Sequence, residues 1–375
     1  MDESLMNAYN DRTLFTPQIL SFSPPAEIRN STICFELTTG CNYNRCTFCD
    51  GYNGVPFTVK PLEEYKRHVD EVLVRCVDRS KRRKFLRGSY QRRCYIGSGT
   101  SLAVPTEELA DAIKYTSEAF RRQFMEYDRG DYHYPDRISL YGSINDIIKK
   151  GPDELSHLRP KEESGYNKIL IYVGLESGST GLLKWINKGY SIDEIMKAAE
   201  VMDKTGREDH WQHENSIDIS VMVIAGLGGM LFYDSHIVET ARALNALKPR
   251  FVTFLGIVPH GSYKEKMDEQ TRSGLNRPLT QAEAVQQIAE ILDKTRTRRR
   301  QNFKALGGYD VASDTPLWFN YSTMRYLLSG PFIDCQEEKD GCVKALRAAA
   351  KMMSMVGRVK VRRFKSFYFP DPVLF

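Results

Sequence analysis

The chain has 375 residues, 41% hydrophobic and 27% charged, with a formal net charge of +5. That is the composition of a soluble globular protein, with length enough for one large α/β domain or two smaller ones. No apolar run reaches the roughly 18 residues of a membrane span, and the opening MDESLMNAYNDR is acidic and polar rather than signal-like, so a cytoplasmic location is expected. The mild positive charge permits an anionic substrate without demanding nucleic acid.

Residues 1–29, punctuated by Pro24 and Pro25, read as an N-terminal arm. Short apolar, β-branched runs then alternate with longer helical patterns. Strands are predicted at 31–37, 93–98, 137–142, 168–175, 218–227 and 251–258. Between them, EEYKRHVDEVLV around His68 is helical, and Thr106 after Pro105 can cap a helix from Glu107. Ser191 with Glu194, and Thr280 with Glu283, have capping-box spacing. Strands alternating with helices imply βα units and a mostly parallel sheet, and strands apolar on both faces fit one covered by helices. Six units fall short of a closed eight-fold barrel. The expected fold is therefore α/β, a partial (β/α)6 barrel over residues 30–260 with a mainly helical C-terminal extension over 261–375. That extension would carry a long basic helix (280–303), a Pro/Gly-rich connection and another helix (341–355).

The eight cysteines are Cys34, Cys41, Cys46, Cys49, Cys76, Cys94, Cys335 and Cys342. Three crowd into TTGCNYNRCTFCDGYNG (38–54), which no disulfide framework resembles and which in a reducing compartment points to a metal. The loop follows the first predicted strand immediately, and in parallel α/β folds chemistry sits on such βα loops. Thiolates suit iron–sulfur clusters, zinc or copper(I). Three of them can hold three irons of a cubane and leave the fourth open, as a catalytic centre requires. Gly40 allows a sharp turn after the strand, and Gly51 and Gly54 keep the exit of the loop adaptable.

On these residues the chain resembles the radical S-adenosylmethionine (radical SAM) superfamily over roughly residues 30–260. The resemblance implies that Cys41, Cys46 and Cys49 ligate a [4Fe–4S] cluster and that Phe48 lies beside the adenine of SAM. IGSGTSL (96–102), with Ser98, Gly99 and Thr100, stands where the family receives the methionyl amino group. YVGLESGS (172–179) looks like the branch that includes coproporphyrinogen dehydrogenase, methylthiotransferases and the Elongator catalytic subunit, which would put Glu176 near the ribose and methionyl part of the cofactor. VMVIAGLGG (221–229), with Ile224 and Gly226, looks like the strand whose backbone meets the adenine. Two departures are visible: four residues separate Cys41 from Cys46 where the family usually has three, and the glycine motif lacks an acidic residue. The implied activity is reductive cleavage of SAM to a 5′-deoxyadenosyl radical, with an external one-electron donor such as flavodoxin or ferredoxin. The implied substrate is a small biosynthetic molecule, because no RNA-binding, peptide-recognition or cobalamin-binding module is appended. Topology alone suggests Tyr141, Ser143 and His260 as substrate-facing positions.

Other readings stay open at this level. A zinc-stabilised, non-catalytic binding protein would need a fourth ligand, for which His68 is the nearest downstream candidate. Cys335 and Cys342 could belong to a second cluster, or donate hydrogen to a radical, against a buried or incidental role; a second cluster would reopen an electron-transfer reading. Cys34, Cys76 and Cys94 read as small buried hydrophobes, and His236 as structural. GLGG (226–229) lacks the spacing of a phosphate loop. The basic runs at 81–87, 296–300 and 359–365, the last followed by Phe367, Tyr368 and Phe369, could track RNA. The tail from 358 could equally fold back over the barrel.

Overall fold

The computed structural model describes residues 33–49, 51–52, 54–76, 93–124, 135, 137–161, 166, 168–205, 216–296, 301–304, 310–313 and 339–356. Seven strands form one sheet, ordered β2 (Thr58–Val59), β1 (Ile33–Thr39), β3 (Arg93–Ser98), β4 (Arg137–Gly142), β5 (Lys168–Glu176), β6 (Ser216–Ala225) and β7 (Phe251–Gly256). β2 is antiparallel to β1, whereas every other neighbouring pair is parallel. The sheet is not closed: β2 and β7 are its free edges. The expected α/β architecture of six parallel strands in an open barrel is what forms.

Helices α1 (Leu62–Cys76), α2 (Thr106–Phe124), α3 (Ile144–His157), the short α4 (Thr180–Trp185), α5 (Ile192–Lys204) and α6 (Tyr233–Leu247) connect the strands. They cover the sheet's outer face, where alternate strand residues such as Ile33, Phe35, Ile96, Ile138, Ile171 and Val221 join one apolar core. The opposite face carries Glu36, Tyr95, Ser139, Tyr141, Tyr172, Ser220 and Met222. β6 is buried at every position, which is why it reads as a continuous apolar run rather than an alternating one. At the floor of the inner face, the buried Arg250 Nε lies 3.2 Å from Asp218 Oδ2.

Beyond β7 come α7 (Gly261–Arg272), α8 (Gln281–Lys294), a hairpin of β8 (Gln301–Lys304) and β9 (Asp310–Ser313), and α9 (Lys339–Val356), which packs along α8. Two expectations are corrected. The basic helix predicted at 280–303 ends at Lys294, because Thr295 turns to extended backbone (ψ 132°). Thr106 is the first residue of α2 rather than its cap, and its hydroxyl donates to Glu154 on α3. The arm at 1–29, the runs at 81–87 and 359–365, most of the run at 296–300, Cys335 and the aromatic tail lie outside the described residues. No described helix is long and apolar enough to cross a membrane.

The expected capping boxes form at Ser191 and Thr280. In the second, Glu283 receives Thr280 N–H at 2.8 Å and a two-pronged guanidinium from Arg277 at 2.8 and 2.6 Å. Chiefly through Arg277, its carboxyl is held down at about 2. A depressed carboxyl contributes stability that is complete above its unfolded value of about 4.3 and is lost as pH falls through the folded one. Melting curves should therefore place Glu283→Gln below the wild type by a constant margin above about pH 5, and that margin should close between about pH 4 and 2.

Candidate active site

The cysteine loop leaves β1 at Gly40 and is fixed from three sides. Thr47 N–H donates to Ile186 O at 3.0 Å and Tyr43 Oη to Asn187 O at 2.9 Å, while Asn187 Nδ2 returns to Arg45 O at 2.9 Å. From α3, Asp146 Oδ1 accepts Asn42 Nδ2 at 2.8 Å. The same carboxylate, through Oδ2, closes a capping box with Ser143. From β3, Thr100 N–H donates to Gly40 O at 3.3 Å and Gly99 N–H to Thr38 O at 3.2 Å. Gly99 is required here, because a Cβ at that position would drive into the carbonyl oxygen of Gly40.

Within the loop, Asn44 N–H points at Cys41 Sγ at 3.5 Å and Cys49 N–H donates to Cys46 O at 3.3 Å. Burial pushes the Cys46 thiol up to about 11, with Lys188 opposing and Glu176, Cys49 and Cys41 adding to the rise. Burial also raises Cys49, against a hydrogen bond from the Gly51 backbone. The mutual influence of the three thiols places them in one electrostatic neighbourhood.

A buried ion pair faces this loop. Lys188 Nζ lies 2.9 Å from Glu176 Oε1, with the two side chains 13% and 10% exposed. The ammonium sits over the rings of Phe48 (5.5 Å) and Tyr190 (6.0 Å). Burial works against its charge, but Glu176, Tyr190 and Cys46 together hold its pKa well above the ordinary lysine value. Tyr190 Oη in turn donates to the β5 carbonyls of Gly174 (2.8 Å) and Leu175 (3.0 Å). Two strand ends here adopt the left-handed region without glycine, Ser98 at φ 97° and Glu176 at φ 60°, and such strain is concentrated at functional sites. Ser98 Oγ is buried and has no hydrogen-bond partner among the described residues.

The predicted residues thus divide. Cys46, Cys49, Phe48 and Glu176 meet around Lys188, with Cys41 neighbouring the other two cysteines, and Ser98, Gly99 and Thr100 lie against the start of the loop. Gly226 turns at φ 78° directly beyond β6, on which Ile224 is buried. Tyr141 lies on the inner face, edge-on to Tyr95 (5.8 Å) and with its hydroxyl 3.7 Å from Met222 Sδ. The hydroxyl of Ser143 is engaged as the cap of α3. His260 is half-buried at the N-cap position of α7, where its side chain makes no capping hydrogen bond. His236 is buried, with Nδ1 2.7 Å from Ser177 Oγ, and burial lowers its pKa to about 4. Cys34 and Cys94 are buried; the side chains of Cys76 and Cys342 are outside the described residues. Lys188, Tyr190 and Asn187 escape sequence reasoning; the only signal is a lysine twelve residues after Glu176.

The donor set can be tested for fit. No three His, Cys, Asp or Glu side chains converge on a single ion among the described residues. His68 already accepts Glu36 N–H at its Nε2 (2.9 Å), and burial lowers its pKa. A tetrahedral zinc site needs four donors around one ion, whereas a cubane uses one thiolate per iron and leaves its donors apart. Three soft thiols on one anchored loop, with the Lys188 cation near Cys46 and Cys49, fit such a cluster.

No family model matches the chain, and no curated protein is similar to it in sequence. Among solved structures it is similar to the archaeal Methanocaldococcus infernus Elp3 lacking residues 1–46, at 11% identity over 88% of this chain and 64% of that one (TM-score 0.44). It is similar to Streptococcus suis SuiB bound to S-adenosylmethionine, at 12% identity over 78% and 53% (TM-score 0.41). It is also similar to coproporphyrinogen III oxidase (HemN) from Escherichia coli, a radical SAM enzyme, at 13% identity over 85% and 66% (TM-score 0.35). The chain spans less than two thirds of each of these proteins. These are remote likenesses of chain path.

Proposed function

We propose that this chain is a radical SAM enzyme acting on a small molecule, with Cys41, Cys46 and Cys49 as the ligands of a [4Fe–4S] cluster. The observation that carries the reading is three thiols on one anchored loop at the C-terminal end of the first parallel strand, facing the buried Lys188–Glu176 pair. When bound, the cluster and SAM supply one-electron cleavage of a carbon–sulfur bond and hence a 5′-deoxyadenosyl radical.

The chain's own residues bind and orient. Lys188 offers fixed positive charge to an anionic cluster and to a carboxylate. Glu176 is an acceptor for hydroxyl or ammonium groups, and Ser98 Oγ, which has no partner among the described residues, offers a donor and an acceptor. Phe48 presents a flat face beside the cation, and the turn at Gly226 would offer its backbone to a planar base. Tyr95, Tyr141, Tyr172 and Met222 on the inner face exclude water from the substrate end. The exposed Asn44 and Arg45 leave the loop open to an external one-electron donor of the flavodoxin or ferredoxin kind.

The test is anaerobic reconstitution with iron and sulfide, addition of dithionite and SAM, and detection of 5′-deoxyadenosine by mass spectrometry. The wild type should form it and the Cys41→Ala, Cys46→Ala, Cys49→Ala triple variant should not. Absence of the nucleoside from a wild-type protein that has taken up iron would refute the proposed cleavage.

A further inference from the structure

The loop leaving β6, residues 226–231, is held by side chains from beyond the last barrel strand. Gly226 N–H donates to Gln287 Oε1 on α8 at 2.8 Å, and Gly228 N–H to Tyr263 Oη on α7 at 3.0 Å. Asn276, between those helices, donates Nδ2 to Gly228 O at 2.9 Å and accepts Leu231 N–H at 2.8 Å. Met230 N–H donates to Arg277 O at 2.9 Å, and a Cβ on Gly229 (φ 67°) would drive into that same carbonyl. Tyr263, Asn276 and Gln287 are all buried. Four backbone donors of a glycine-rich turn are thus satisfied by this one segment. This removes the phosphate-loop reading of GLGG, since a phosphate cradle needs those N–H groups free.

We propose that Tyr263, Asn276 and Gln287 are positioning residues that set the β6 turn for the nucleoside half of SAM, which makes residues 261–294 part of the cofactor site rather than an appended module. This rests on the radical SAM reading above. β6 is paired with β7 up to Ala225, opposite Gly256, and beyond it the turn has no ladder of its own, so its shape is decided by what packs on it. Here Gly226 directly follows the strand carrying Ile224, and the Gly226 amide is fixed by one fully buried glutamine. Each contact acts through backbone, so its removal should misplace the turn. The cysteine loop is held chiefly by Ile186, Asn187 and Asp146, with one further contact from Ser262 Oγ on α7 to Thr47 O at 3.4 Å that these variants leave intact, and should stay in place.

The experiment is equilibrium binding of SAM to the anaerobically reconstituted, unreduced full chain, so that no turnover is needed. Tyr263→Phe deletes one hydroxyl and keeps the ring packed against Trp185 (5.3 Å). Gln287→Met deletes the acceptor, and Gln287→Glu restores one. Tyr263→Phe and Gln287→Met should each weaken binding about ten-fold at wild-type iron content, with the modest loss of melting temperature that an unpaired buried amide brings, and Gln287→Glu should recover most of the loss of affinity. Wild-type affinity in Tyr263→Phe and Gln287→Met would overturn this inference and leave the proposed function standing. Loss of affinity that tracks loss of iron, or that a variant equally destabilised elsewhere in the sheet shares, would also overturn it, as a merely structural role. A wild type that takes up iron and binds no SAM would overturn both.

Discussion

Lys188→Met is expected to lower SAM affinity by one to two orders of magnitude and to destabilise the protein. The two effects separate in a double variant. Lys188 and Glu176 are both nearly buried and 2.9 Å apart. Removing one partner leaves the other charge uncompensated in a poor dielectric, at a cost of about 3–5 kcal/mol. Replacing both with neutral groups of similar size removes that penalty, so Glu176→Gln with Lys188→Met should melt near the wild type. Cofactor affinity should not return, because the double variant restores neutrality without restoring a cation beside the thiols. Melting curves and SAM titrations on the four proteins of this cycle give the result directly. Recovery of binding together with stability would show the pair to be a packing element only.

Gly99→Ala is the second large effect. The added methyl meets a backbone carbonyl, Gly40 O, which has no rotamer by which to yield, so the chain itself must move. Gly40 immediately precedes Cys41 and accepts Thr100 N–H at 3.3 Å, so movement there shifts the entry to the cysteine loop. The expected outcome is loss of more than about half of the reconstituted iron with the rest of the sheet intact, since overpacking of this kind costs about 1–3 kcal/mol and is local. Iron analysis alongside far-ultraviolet circular dichroism measures both halves of that statement. Full iron content in the Gly99→Ala protein would mean that the strand ends are adaptable, contrary to the strained Ser98 beside them.

The sheet was legible where the chain's own punctuation is local. β3 and β4 run over the predicted residues, and the capping boxes at Ser191 and Thr280 mark true helix starts. β6 begins two residues earlier than Asp218 because Ser216 and Ile217, ordinary in sequence, pair with Lys168 and Ile169 of β5. The basic character of 296–300 suggested a helix running on, but charge carries no helical period, and Thr295 ends α8 first. In the site, three cysteines crowded between Cys41 and Cys49 announce themselves. Lys188 does not: it reaches Glu176 only because α4 is a helix of six residues that turns the chain back onto β5. Gln287 and Asn276 were equally silent, since each amide meets the turn from a distant part of the chain, 61 and 48 residues away, and leaves no spacing to read.

The central claim, that the loop from Cys41 to Cys49 holds an open cubane, is tested most directly by metal and acid-labile sulfide analysis of the anaerobically reconstituted and desalted chain beside its triple cysteine variant. The account predicts about four irons and four sulfides per wild-type chain, and neither in the variant. About one zinc per chain without sulfide, lost in the same variant, would contradict it.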